Sequence, residues 1–250
     1  MHLFPLKFPL IKPKDDILEI LVDTLKRKIV LQNGDVVVIT SKILALSENR
    51  LIDLNKVRPS KEAKVLAKKY SMSPAFCEVI IRETDKIIGG VPKAILTLKN
   101  NILIANGGVD QSNAPRGFVI LWPKKVYTWA DRIRKYIKQK FKVNVGVIVR
   151  DSNCHPLRRG TFGVALAIAG FEGVRDVRKR LDLYGKKFII TQENVADNLA
   201  SAATLVMGET TEKVPVVVVK NALVRLSNRS SRYLTKQLIV PRKGCLFKDY

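Results

Sequence analysis

Apolar positions along the chain recur with two periods, and the switches between them mark out the elements. Between Asp15 and Lys28, Ile17, Ile20, Leu21 and Leu25 fall on one helical face, with Asp15 and Asp16 at the end where a helix dipole favours negative charge. Asn33-Gly34 then predicts a turn into Asp35 to Thr40, a continuous Val/Ile run of the kind found in strands buried on both faces. Ser60 and the pair Ser73-Pro74 read as helix starts, the second with proline at the first helical position. That second helix should run to Arg82 or Glu83 and turn Phe76, Val79 and Ile80 inward. Gly89-Gly90-Val91-Pro92 reads as an interruption, and the runs Ala94 to Leu98 and Ile102 to Ala105 have hairpin spacing.

Phe118 to Leu121 predicts a strand, and Thr128 a cap for a helix in which Trp129, Ile133, Ile137 and Phe141 recur every fourth residue. Val143 to Val149 reads as a buried strand that breaks into a polar, Pro-containing loop at Asp151-Ser152. The small-residue run from Gly163 to Gly170 can approach other backbone closely. Lys187 to Thr191 suggests a strand, and Asn194 to Met207 a helix packing through Val195, Leu199, Ala202, Ala203 and Val206, stopped at Gly208. Asp197 and Ser201 share a side of that helix. Val214 to Val219 is a further buried strand, and the tail from Asn221 to Tyr250 is basic without clear periodicity. No internal repeat is present.

With 250 residues, 46% of them hydrophobic, the chain can bury a large core as one domain or two lobes. No apolar run approaches the roughly 20 residues that span a bilayer, and the N-terminal stretch lacks the apolar centre of a signal peptide. The expectation is a soluble, cytoplasmic protein without a membrane partner. Cys77, Cys154 and Cys245 have no metal-ligand spacing and read as free thiols. Lys and Arg total 45 against 22 Asp and Glu, a formal charge of +23 that attracts anions. No recognisable nucleic-acid motif accompanies the charge.

Four stretches carry candidate chemistry. Thr40-Ser41-Lys42 places hydroxyls and an ammonium at a strand end, where they can grip phosphate. Asn106 to Asn113 combines two glycines with Asp110, suited to close approach of a ligand and to a hard cation. Asp151, Ser152, His155, Arg158, Arg159 and Gly160 follow within ten residues. Met207-Gly208-Glu209 opens a polar loop at a helix end.

These stretches, with Asp182-Leu-Tyr-Gly185 and the helix around Asp197, stand in the order of one family. Over roughly residues 5 to 222 the chain resembles coenzyme F420-0:L-glutamate ligase, a γ-glutamyl ligase. The resemblance implies a ligase domain over residues 1–222, in two lobes or one, with a basic extension over 223–250 packed on or following it. It also implies an α+β fold, with mixed sheets and packed helices, in an intertwined homodimer. The activity implied is addition of L-glutamate to a small anionic acceptor through an acyl phosphate, with GTP or ATP as cosubstrate and Mg²⁺ or Mn²⁺ as cofactor.

Carried over by position, Asp110 and Asp151 match metal-binding aspartates, and Ser152 and Glu209 fall where a second metal is bound. Asp110, Asp151 and Arg158 are the expected catalytic residues. Pro9, Leu10, Ile11, Ser41, Lys42, Asn113, Met207, Gly208 and Thr210 fall at nucleotide-binding positions. The chain departs from the pattern at Leu46, where a lysine is usual, and at Asn153-Cys154-His155, where a glycine and an arginine are usual. Those departures lie beside the metal ligands and suggest retained chemistry with an altered acceptor. A folate or pterin γ-glutamate ligase is the alternative acceptor class, and a repurposed nucleotide- or RNA-binding protein the alternative of another kind.

Overall fold

The computed structural model describes residues 1–248. In chain order its regular elements are β1 (His2–Leu6), α1 (Ile17–Lys28), β2 (Val36–Thr40), α2 (Ser41–Ser47), β3 (Leu51–Asp53), α3 (Lys61–Tyr70), α4 (Pro74–Glu83) and β4 (Lys86–Val91). There follow β5 (Ala94–Lys99), β6 (Ile102–Ala105), β7 (Phe118–Ile120), α5 (Val126–Phe141), β8 (Gly146–Asn153) and β9 (Phe162–Ala169). The chain ends with β10 (Val174–Asp176), β11 (Gln192–Asn194), α6 (Val195–Met207), β12 (Val216–Lys220) and α7 (Ser231–Lys236). The α+β class with mixed sheets is as expected. Among the described residues no helix is long and apolar enough to cross a membrane.

A five-stranded sheet ordered β1-β12-β2-β8-β9 forms the larger lobe. Only β2 and β8 run parallel, and the other three pairings are antiparallel. Both faces are buried, which is why β2 and β12 are runs of Val and Ile rather than alternating patterns. Val37, Ile39, Val147 and Val149 pack under α1 and α5, while Val36, Val38, Ile148 and Val217 meet α6 and α7. A smaller lobe joins α3 and α4 to the hairpins β4-β5-β6 through Ala63, Phe76, Ile80 and Ile95.

Local signals account for most boundaries. Asp16 caps α1 by accepting from the Leu18 and Glu19 amides at 3.1 and 3.3 Å, and Ser60 caps α3. Four expectations are corrected. Gly89 and Gly90 lie inside β4 rather than ending an element: a Cβ at Gly90 would fall 2.6 Å from the Ala94 carbonyl oxygen, so only glycine lets this strand pair so closely. Thr128 is not a cap, because burial of Val126 and Tyr127 against the core starts α5 one turn earlier, after Lys125. Residues 187–191 form no strand; the pairing is made instead by β10 with β11. The buried face of α6 is Ala196, Leu199, Ala200, Ala203 and Met207, with Val206 exposed.

That rotation of α6 follows from β9. Gly163 lies so close that a Cβ would be 2.3 Å from the Ala200 carbonyl oxygen, and α6 must present small residues there. Asp197 accepts the Ala165 amide at 2.8 Å and the Ser201 hydroxyl donates to the Gly163 carbonyl at 3.0 Å, so α6 satisfies groups that edge strand β9 would otherwise leave open. Beyond β12 the tail packs back on the sheet: Thr235 Oγ1 accepts the Ile168 amide at 3.0 Å, and Leu234 is buried. The three cysteines are free thiols, as expected.

Gly163→Val should therefore overpack the α6–β9 contact and lower stability by about 1–3 kcal/mol. Gly89→Ala, with nothing near its added methyl group, should change stability by less than about 0.5 kcal/mol. Urea unfolding midpoints of the two variants check this.

Candidate active site

At the C-terminal end of β2 the chain enters α2, whose first turn carries Lys42. Its ammonium reaches Asp110 Oδ2 at 2.7 Å and the Ser112 carbonyl and hydroxyl oxygens at 3.1 and 2.9 Å. Asp110 is held by a backbone bridge to Ile120, and its carboxylate accepts from the Ser112 amide at 2.7 Å. Burial pushes the Asp110 pKa up, but Lys42 and the Ser112 donors outweigh it and hold the carboxyl below its ordinary value.

Parallel pairing of β8 with β2 brings Asp151 and Ser152 to the same end of the sheet. The strand does not stop at Val149, as the loss of apolar residues suggested. A bulge at Val149/Arg150 re-aims it, and Asp151, Ser152 and Asn153 keep ladder partners in Val164, Gly163 and Phe162. The Trp122 indole N–H donates to Asp151 Oδ2. Burial raises the Asp151 pKa against the pull of Trp122 and Arg150, and the nearby Asp110 charge adds to the rise.

Trp122 is fixed from behind. Gly108, at φ +67, passes so near that a Cβ would lie 2.3 Å from the indole. The Lys99 ammonium sits 5.0 Å from the indole centroid and donates to Glu83 at 3.0 Å and to the Gly107 carbonyl at 3.0 Å. Arg50 bonds both Glu83 oxygens at 2.8 Å and the Trp122 carbonyl at 3.1 Å. A partly buried ion-pair network from the smaller lobe thus orients the donor to Asp151.

On the other side, Ser152 Oγ donates to Glu209 Oε1 at 2.8 Å, and Arg150 Nη2 donates to Ser152 Oγ at 3.2 Å. Arg150 is buried, which lowers its pKa, while Asp151 and Glu209 oppose the fall. Gly208, at φ +72, ends α6 and delivers Glu209 to this point.

These groups line a cavity of about 460 Å³. The expected residues Pro9, Leu10, Ile11, Lys42, Asn113, Met207, Gly208 and Thr210 border it, together with Asp110, Asp151, Ser152 and Glu209. Two expected residues do not. Ser41 is turned into the core, because its position on α2 faces the sheet, and Arg158 lies on the exposed loop after β8. Leu46 borders the cavity, so the departure there replaces a cation by an apolar wall.

A second cavity of about 810 Å³ adjoins the first and shares Asn153 and Cys154 with it. Its wall combines Leu96, Phe162 and Val164 with Lys99, Lys125 and Arg232. His155 meets Phe162 and Phe247 edge-on at 6.4 and 5.6 Å, which ties the altered loop to the tail. The periodicity of the sequence did not reveal Trp122, Arg150 or Thr161. A tryptophan between a strand and Pro123, and an arginine breaking an otherwise apolar strand, were the only signals.

All the donors facing the first cavity from Asp110, Asp151, Ser152 and Glu209 are oxygens, the set that Mg²⁺ and Mn²⁺ prefer. They fall into two pairs, and among the described residues no three His, Cys, Asp or Glu side chains form one group. The Asp110–Asp151 pair suits a hard cation, since it offers two carboxylates and the half-buried Asp151 has neutral Trp122 as its close side-chain donor.

A family model described as F420-0:gamma-glutamyl ligase matches residues 5–221. The chain is 37% identical over 209 residues to coenzyme F420:L-glutamate ligase of Methanopyrus kandleri, covering 83% of this chain and 81% of that protein. It is 37% identical over 220 residues to the ligase of that name from Methanocaldococcus jannaschii, covering 88% and 86%. Identity to the Archaeoglobus fulgidus ligase is 32% over 221 residues, covering 88% and 87%. The sheet, the paired carboxylates and these matches lead to one conclusion: the chain belongs to the F420-0:gamma-glutamyl ligase family.

Proposed function

We propose that this chain joins the amino group of L-glutamate to a carboxylate of coenzyme F420-0, using GTP to activate that carboxylate as an acyl phosphate. The observation that supports this most is the convergence of Lys42, Asp110 and Asp151 on one cavity, faced by Pro9 to Ile11 and by Gly208 to Thr210. Asp110 and Asp151 would hold Mg²⁺ or Mn²⁺, which when bound neutralises charge on phosphoryl oxygens.

The residues of the chain account for the rest. Lys42 rises from the first turn of α2 with its three N–H groups on Asp110 and the two Ser112 oxygens, and giving up a Ser112 contact turns one of them to a phosphate oxygen. Trp122 holds Asp151 in one orientation. The acceptor carboxylate attacks the γ-phosphorus, breaking its bond to the bridging oxygen and releasing GDP. Attack by the glutamate amine on the acyl carbon then forms the amide, frees a proton and expels phosphate.

The acceptor would lie in the adjoining groove, where an apolar floor suits an aromatic ring system and the cationic rim suits phosphate and carboxylates. A homodimer follows from the same reading. Leu183, Tyr184, Ile189 and Ile190 are exposed in the segment between β10 and β11, apolar surface that a second copy would cover.

The test is incubation with GTP or ATP, Mg²⁺ or Mn²⁺ and L-glutamate, with F420-0 and a folate monoglutamate as competing acceptors and products weighed by mass spectrometry. A glutamyl-sized gain on F420-0 is expected; gain on the folate alone would reassign the acceptor, and no gain on either would reject the ligase reading. Asp151→Asn should lower turnover by about 10²–10³-fold. Arg232→Glu should raise the KM for the acceptor about tenfold and leave the KM for GTP within about twofold, as steady-state kinetics would show.

A further inference from the structure

The Ser152–Glu209 side of the cavity already contains a cation. The Arg150 side chain is only 5% exposed, and its Nη2 lies 3.8 Å from Glu209 Oε1. The same nitrogen donates to Ser152 Oγ at 3.2 Å and to Thr204 Oγ1 on α6. Glu209 Oε1 also accepts the hydroxyl of Ser152 at 2.8 Å and that of Thr161 at 3.3 Å. One carboxylate oxygen therefore faces three donors, and one lone pair of Ser152 is taken by the guanidinium.

The two sides of the cavity differ in what an incoming cation would meet. At Asp110 and Asp151 there are two carboxylates, and the cation on Asp110 is Lys42, a flexible side chain that can swing to a phosphate. At Ser152 and Glu209 there is one carboxylate, beside a guanidinium that stays protonated and is held by β8 and α6. Arg150 Nε is buried without an acceptor. A divalent ion at Ser152 would sit against a fixed like charge, so this donor set does not fit the second metal that the family resemblance implied.

We propose that the Arg150 guanidinium takes the place of a second divalent ion, so that the cavity lined by Asp110 and Asp151 binds one metal ion and completes its positive charge with a side chain. The inference rests on the reading of this cavity as a phosphoryl-transfer site. A guanidinium anchored at Ser152 and Glu209 can neutralise phosphoryl charge as a metal ion would, and it is in place before any substrate arrives. Arg150 has this role by position, at the bulge of β8 that turns its side chain between the sheet and α6.

Electron paramagnetic resonance of Mn²⁺ titrated into the full chain with a non-hydrolysable GTP analogue counts bound ions without turnover. One tight Mn²⁺ per chain is expected, lost in Asp151→Asn and retained in Glu209→Gln with less than about a threefold change in Kd. Arg150→Met keeps the volume but removes the charge, and should admit a second Mn²⁺ whose coupling to the first broadens the spectrum. Two tight Mn²⁺ in the unaltered chain, loss of an ion in Glu209→Gln, or a single ion in a folded Arg150→Met would overturn the role of Arg150 and leave the ligase reading intact. Absence of any tight Mn²⁺ from the unaltered chain would overturn the metal site at Asp110 and Asp151 as well. If Arg150→Met does not fold, the count in the unaltered chain and in Glu209→Gln decides.

Discussion

The placement of β8 between β2 and β9 is the constraint on which the site depends. Parallel pairing with β2 puts Arg150 opposite Thr40, one residue before α2 begins, so the ends of two central strands open on the same side of the sheet. Antiparallel pairing with β9 then carries the backbone rigidly through Asp151 to Asn153. Both faces of the sheet are close-packed under helices, so the strand is held from either side by its neighbours. Asp151 is therefore placed by the core of the protein, not by a loop.

From that fixed strand the polar groups divide in alternate directions, as strand geometry requires. Asp151 faces Trp122, and through it the network of Arg50, Glu83 and Lys99 in the smaller lobe. Arg150 faces α6 and the Glu209 loop. The site is consequently a joint between lobes, with Lys42 and Asp110 bridging the front. Burying carboxylates is costly unless positive charge compensates them. Here Lys42 compensates Asp110 closely, and Arg150 pulls on both Asp151 and Glu209, yet burial still leaves the Asp151 carboxyl above its ordinary pKa.

Much of this was legible in the residues. The Val/Ile runs of β2 and β12, the helix starts at Asp16 and Ser60, and the helix ending at Gly208 each follow from a local rule that tertiary packing did not overturn. The errors have a common cause. Glycines in β4, the early start of α5 and the rotation of α6 all depend on which neighbour lies close: Ala94 and Tyr70 for Gly90, the core for Val126, and Gly163 for Ala200. A one-dimensional pattern does not contain those distances. In the site, Lys42, Asp110, Asp151 and Glu209 could be marked from their setting in ordered motifs, and the structure brings them to one cavity. Ser41 and Arg158 carry suitable groups but point elsewhere. Trp122 and Arg150 lacked any motif, and their contacts arise only when the two lobes and α6 are assembled.

The most direct test of the central claim follows an oxygen atom. F420-0 labelled with ¹⁸O in its acceptor carboxylate would be turned over with GTP and L-glutamate, and the released phosphate weighed. Activation of that carboxylate by the γ-phosphoryl group requires one acceptor oxygen to leave with phosphorus, so one ¹⁸O per phosphate is the predicted result. Phosphate free of label, alongside glutamylated product, would contradict the account.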